Sequence, residues 1–237
     1  MTQIADFFNQ NQNKTYKFSK IPADLTESWQ QAQWIMTVSQ IPYLPLDISG
    51  PWKEMYQEAL ALDSEFQTHR SDGDGWSSLC IHGLSAKQTE SPDQYTEYAN
   101  LPDNDLPYTW TEIIDRCPVT AEYFKNNFPF DKYARLRYMK LAVGGEIPPH
   151  VDGKRTNPLN AINIALNNPS GCQMVQEDSG TVPFSDLGGA ILFNNTWTHA
   201  VRNTGPIDRY HIIVHGMWNR EFNNIVVQSY KKLLELI

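Results

Sequence analysis

The residues best placed to do chemistry are His150 and Asp152, one residue apart, His199 in Asn195-Thr196-Trp197-Thr198-His199, and Arg209 in Asp208-Arg209-Tyr210. Two imidazoles and a carboxylate form a donor set for divalent iron, with coordination positions left open for other ligands. A guanidinium beside them is a rigid, two-pronged clamp for an acidic co-substrate. Together they describe the chemistry of an oxygenase. A His-x-Asp pair alone is a weak signal, more often a solvated loop than a ligand set, and the distant histidine with its arginine is what gives it weight.

These four residues need elements that bring them together. In an extended strand residues i and i+2 share a face, so a strand ending near 152 presents His150 and Asp152 to one point. The segment 197–215 has the pattern of a β-hairpin, with Asn203-Thr204-Gly205-Pro206 as its turn. A turn centred on Thr204 sets Arg209 directly across from His199 on the same face. From Tyr133 onward short strands alternate with turn residues: 133–143, a Gly144-Gly145 turn, 147–152, 160–166, 172–177 and 189–193. The expected fold is therefore mainly β, a jelly-roll or cupin-like barrel. Helices are expected at 52–66, at 118–124 and, packed on the barrel, at 221–236, with a strand at 75–83. Residues 90–107 read as a long surface loop, the kind that carries specificity.

The formal net charge is −8 and no block of Lys or Arg occurs, which argues against a nucleic-acid partner or an anionic membrane surface. Cys80, Cys117 and Cys172 are scattered and odd in number, as reduced core thiols are. No apolar run has the length of a signal peptide or a membrane span, so a soluble cytoplasmic protein is expected. A length of 237 residues suits one oxygenase domain: a mixed α/β elaboration over 1–130, the catalytic core over 131–218 and a C-terminal helix over 219–237.

The run Arg137-Tyr-Met-Lys-Leu-Ala-Val-Gly-Gly-Glu-Ile-Pro-Pro-His150-Val-Asp152, the strand Ile162-Asn-Ile-Ala-Leu166, the segment Gly189 to His199 and Arg209 together resemble the aspartyl/asparaginyl β-hydroxylase family. The resemblance covers roughly residues 133–218. It implies a double-stranded β-helix and an iron(II)- and 2-oxoglutarate-dependent dioxygenase that consumes O2. It also implies that His150, Asp152 and His199 are the iron ligands and that Arg209 pairs with the distal carboxylate of 2-oxoglutarate. The founding protein-modifying members have Gly where this chain has Asp152, so the complete triad is closer to the free-amino-acid hydroxylases of the group. A co-substrate-binding His of the founding members is Asn163 here, which can still donate a hydrogen bond. Their Ser is Met139, which cannot.

If Met139 faces the barrel interior, as the matched position implies, Arg135 and Arg137 share that face. Each then binds a substrate carboxylate or forms a structural salt bridge. Arg155 falls near the expected entrance, as a substrate contact or a solvated loop residue. His211 and His215 alternate with Arg209, either tuning the co-substrate pocket or, as the leading expectation, serving as hydrogen-bonded core residues. Trp76 and His82 either line the substrate pocket or pack in the core, with the core as the leading expectation; His69 is expected on the surface, and Trp197 around the metal. The leading expectation is hydroxylation of an unactivated carbon in a small carboxylate-bearing molecule such as an amino acid. A protein Asp or Asn substrate and a non-catalytic metal-binding barrel are the alternatives.

Overall fold

In a computed structural model, residues 3–71, 73–102, 105–152, 161–186 and 188–236 are described. The organising element is β5 (Phe130–His150), 21 residues long, against which most other strands are arranged. The expected Gly144-Gly145 turn is instead a bend inside this strand. Gly144 adopts φ +77°, and residues 142–145 bulge against Gly75 alone of the neighbouring β3 (Asp74–Gly83). A bulge of this kind swings the far half of a strand out of the plane of the first.

The two halves of β5 therefore pair with different strands. Its first half joins β11 (Arg209–Trp218), in register Arg209↔Leu141, His211↔Met139, Ile213↔Arg137 and His215↔Arg135. Its second half joins β10 (His199–Asn203), with His199 opposite His150. The hairpin expected over 197–215 does not form: β10 and β11 pair with successive halves of β5 and not with each other. The turn residues explain why. Asn203 Nδ2 donates to the carbonyls of Leu141, Ala142 and Ile207, which ties this corner to the β5 bend, and Asp208 Oδ1 accepts from Val143 N at 2.9 Å.

Beyond β11 lie β6 (Ala161–Asn167), β9 (Ala190–Phe193) and β1 (Tyr43–Leu46). Beyond β10 lie β7 (Cys172–Gln176) and β8 (Gly180–Thr181). Every pairing is antiparallel, including those of β3 with the two-residue strands β2 (Gln67–Thr68) and β4 (Thr109–Trp110). The result is a sheet curled over on itself, a double-stranded β-helix whose concave face holds a cavity. All seven residues of β6 are buried, as befits a strand covered on both faces.

Helices close the convex side, and α1 (Gln3–Asn11) and α2 (Ser28–Gln33) precede β1 in the chain. α3 (Trp52–Ala61) is shorter than expected, ending in a separate 3-10 turn over Asp63–Glu65. α4 (Pro118–Asn126) starts with proline at its first position, and the Glu58 carboxylate accepts from Val119 N, Thr120 N and Thr120 Oγ1, satisfying donors that a helix start leaves open. α5 (Arg220–Glu235), capped by Asn219, buries Phe222, Val226, Val227 and Tyr230 from one face. No described helix is long and apolar enough to cross a membrane. The three cysteines are buried and free.

The bend is testable at its two glycines. A Cβ on Gly144 meets nothing within 4 Å, so Gly144→Ala should cost about 1 kcal/mol, for the left-handed backbone alone. A Cβ on Gly145 would lie 2.8 Å from both Ala142 O and Leu141 Cδ1 and 2.9 Å from Asp74 O. Gly145→Ala should therefore cost about 3 kcal/mol. Urea unfolding of the two variants checks the order, and a larger loss for Gly144→Ala would contradict it.

Candidate active site

His150 is the last residue of β5, Asp152 follows it two positions on, and His199 opens β10 directly opposite His150. One ligand atom from each of the three lies within 4.8 Å of the others. The imidazole rings stand 4.2 Å apart between centroids, and the Phe193 ring meets His199 edge-on at 4.8 Å. Asp152 is positioned by its backbone N–H, which donates to Asn195 O at 3.0 Å.

Both histidines are held in one tautomer. His150 Nδ1 lies 2.8 Å from Pro148 O and His199 Nδ1 lies 2.9 Å from Trp197 O. A carbonyl can only accept, so each Nδ1 carries the proton and each Nε2 keeps its lone pair. Fixing a ring by a bond from its second nitrogen is how metal-binding histidines are held. Burial, followed by the neighbouring His150, lowers the His199 pKa to about 4 and keeps the ring neutral. The donor set, its tautomers and its spacing fit a divalent cation. Trp197 supports His199 through its carbonyl, while its ring packs edge-on against Tyr16.

The triad opens into a cavity of about 980 Å³ whose floor is the β5–β11 ladder. On β11, Arg209, His211, Ile213 and His215 line it in alternation, and on β5, Met139, Arg137 and Arg135 do. His199 and Arg209 do share this cavity, by way of β5 and not across a hairpin. At about 3.4 Å per residue, Arg209 and His215 mark points about 20 Å apart along the floor.

At one end, Arg209 Nη2 lies 2.7 Å from His211 Nδ1, and Asn163 Oδ1 lies 2.6 Å from the same nitrogen. A guanidinium only donates and an amide oxygen only accepts, so Nδ1 can bond to Arg209 or to Asn163 and not to both at once. Burial, then Arg209, pushes the His211 pKa well down. His211 Nε2 and Arg209 Nε are both buried without a partner among the described residues, which is costly unless a ligand bonds to them. The Phe184 ring lies 5.7 Å from the Arg209 guanidinium and 4.8 Å from His211. The orphaned Arg209 Nε–H, on a charged guanidinium, fits an anion such as the carboxylate of 2-oxoglutarate.

At the other end stand Arg135, Arg137 and His215. Arg137 is buried, donates through Nη1 to Thr89 O at 2.6 Å and leaves Nε unpartnered. Burial, then Arg135, lowers its pKa to about 9, so it remains charged at neutral pH. The salt bridge that sequence allowed for Arg135 and Arg137 is not formed with any described residue. His69, expected on the surface, is buried against this cavity, its Nδ1 within hydrogen-bond reach of Ser78 and Thr89 and its ring 4.4 Å from Trp76. Trp76, expected in the core, lines the cavity near His150. His82 packs in the core against Trp110 as expected. Part of the 90–107 loop, including Glu90, Pro92 and Leu106, also lines the cavity. Arg155 lies outside the described residues.

The aspartyl/asparaginyl β-hydroxylase family model matches residues 49–218. Among solved structures, the chain is similar to an oxidoreductase of the 2OG-Fe(II) oxygenase family from Burkholderia pseudomallei (13% identity, 86% of this chain and 100% of that one, TM-score 0.45). It is similar also to a prolyl-4-hydroxylase from Pseudomonas putida (12%, 75% and 91%, TM-score 0.42). The viral collagen prolyl hydroxylase of Paramecium bursaria Chlorella virus-1 gives 12%, 74% and 95%, with a TM-score of 0.42. No curated protein matches the chain. At scores below 0.5 the fold rests on this chain's own strand pairing and on the family match. The matched segment spans the cavity floor, the triad and both arginine clusters, and the chain belongs to the aspartyl/asparaginyl β-hydroxylase family, whose members are oxygenases using iron(II), 2-oxoglutarate and O2.

Proposed function

We propose that this oxygenase hydroxylates an unactivated carbon of a small carboxylate-bearing molecule, an amino acid or a derivative being the simplest. The observation that carries the reading is Arg137. A buried guanidinium on the cavity floor, with an unpartnered Nε and no described carboxylate beside it, needs an anion from the substrate.

In this reading His150, Asp152 and His199 hold the metal, and Arg209 with His211 and Asn163 orients 2-oxoglutarate by its distal carboxylate. When bound, iron(II) with 2-oxoglutarate and O2 supplies the oxidising power for inserting oxygen into a C–H bond, with succinate and carbon dioxide as co-products. The protein contributes placement and exclusion of water. Arg137 fixes the substrate at the far end of the floor, so that the reacting carbon lies over the triad. Its bond to Thr89 O couples that grip to the loop following β3, which covers the same end.

A protein substrate is the second reading. The family's description names aspartyl and asparaginyl hydroxylation, and a cavity of about 980 Å³ exceeds what one amino acid fills. Succinate formation stimulated by free amino acids and small acids supports the first reading. Stimulation by peptides alone supports the second.

Three variants test the roles. His150→Ala and His199→Ala should each weaken Mn(II) binding, followed by electron paramagnetic resonance, by more than about 100-fold, beyond the loss typical of an outer hydrogen-bond partner. Unchanged binding in either would place the metal elsewhere. Arg209→Ala should raise the KM for 2-oxoglutarate by roughly 30-fold to several thousand-fold, the ~2–5 kcal/mol of an unpaired buried charge, while Mn(II) stays bound. An unchanged KM would assign the clamp to another cation. Arg137→Ala should raise the substrate KM and leave slow, substrate-independent decarboxylation of 2-oxoglutarate intact. Normal turnover in that variant would make Arg137 a structural residue.

A further inference from the structure

The cavity is positively charged inside a protein of net charge −8, and that charge sits at one end. The metal end balances itself: Asp152 and the two carboxylates of 2-oxoglutarate offset a divalent cation and Arg209. At the far end the described charged residues that are at least partly buried are Arg70, Arg135, Arg137 and Glu90. Arg70 and Glu90 are of opposite sign, and Arg135 and Arg137 have no ion pair with any described residue. Adding the exposed Lys132 and Asp93 on the rim changes nothing, since they cancel.

The excess is concentrated and not scattered. His215, directly opposite Arg135 in the ladder, and His69, on the neighbouring wall, both lie in the field of Arg135 and Arg137. Each histidine is held neutral, first by burial and then by these guanidiniums, so neither adds to the charge. His215 Nδ1 is buried without a partner, and Arg135 has no ion pair with any described residue. A monoanionic carboxylate would pair with one guanidinium and leave the second without an anionic partner beside it.

Building on the small-acid reading above, we infer that the substrate presents two negative charges to this end of the cavity, one to Arg137 and one to Arg135. The chemistry is that of a dianionic group, and a dicarboxylate or a phosphomonoester would each supply it. Arg137, deeper and anchored on Thr89 O, takes the first charge. Arg135, nearer solvent, selects for the second.

The test is calorimetric titration of protein saturated with Mn(II) and 2-oxoglutarate under nitrogen, so that the Arg209 end is filled and no turnover occurs. Two pairs of probes set a dianion against a monoanion: N-acetyl-aspartate against N-acetyl-asparagine, and N-acetyl-O-phosphoethanolamine against N-acetyl-β-alanine. We expect the dianion of at least one pair to bind at least about 30-fold tighter than its partner. The pair showing the larger preference identifies carboxylate or phosphate as the source of the charge. Arg135→Gln should bring the dianion down to its partner's affinity, and Arg135→Lys should retain most of the preference. Equal binding within both pairs, weakened by Arg137→Ala, would overturn the dianion inference and leave the small-acid reading standing. A preference that survives Arg135→Gln would overturn it too. No binding of any probe at millimolar concentration would overturn both.

Discussion

Everything at this site depends on the continuity of one bent strand. β5 carries Arg135, Arg137 and Met139 in its first half and His150 at its end, and the bulge at 142–145 turns the second half over the first. Because β11 pairs with the first half and β10 with the second, the strand also sets where Arg209, His211 and His215 stand relative to His199. In a flat strand these side chains, from Arg135 to His150, would be spread over about 50 Å. The bend folds them around one cavity, which is why glycines and an asparagine that contact no ligand shape the chemistry.

Electrostatics divides that cavity into two ends. The neutral state of His211, His215 and His69 is imposed by burial and by the arginines they face. Imidazolium at those positions would add charge to surroundings already short of anions. As neutral rings they are hydrogen-bonding groups without charge, and the guanidiniums alone set the sign of the field. The fixed tautomers of His150 and His199 belong to the same economy: backbone carbonyls, not carboxylates, hold Nδ1, so the supporting bonds bring no further negative charge to the triad.

Much of this was legible in the sequence because it depends on local periodicity. The i, i+2 rule places His150 with Asp152 and Arg135 with Arg137, and the alternation of Arg209, His211 and His215 puts all three on the cavity face. α4 and α5 follow from a proline start and an apolar stripe. What failed was non-local. A Gly-Gly pair reads as a turn, yet here it is a bulge, because β3 pairs with β5 on both sides of it. The segment 197–215 has a hairpin's pattern, yet its two strands find better partners in β5. His69 carries no local mark of burial, since what buries it is Trp76 from β3 and the loop at Thr89.

The central claim is that the triad and the Arg209 end form one site, holding metal and co-substrate together. Anaerobic titration of the iron(II)-loaded protein with 2-oxoglutarate tests it most directly, by the weak visible charge-transfer absorption that arises when the co-substrate chelates the metal. The account predicts a saturable band in the wild-type protein, shifted to much higher 2-oxoglutarate concentration in Arg209→Ala. Tight iron binding with no such band at any concentration would contradict it and would leave a metal-binding barrel without oxygenase chemistry.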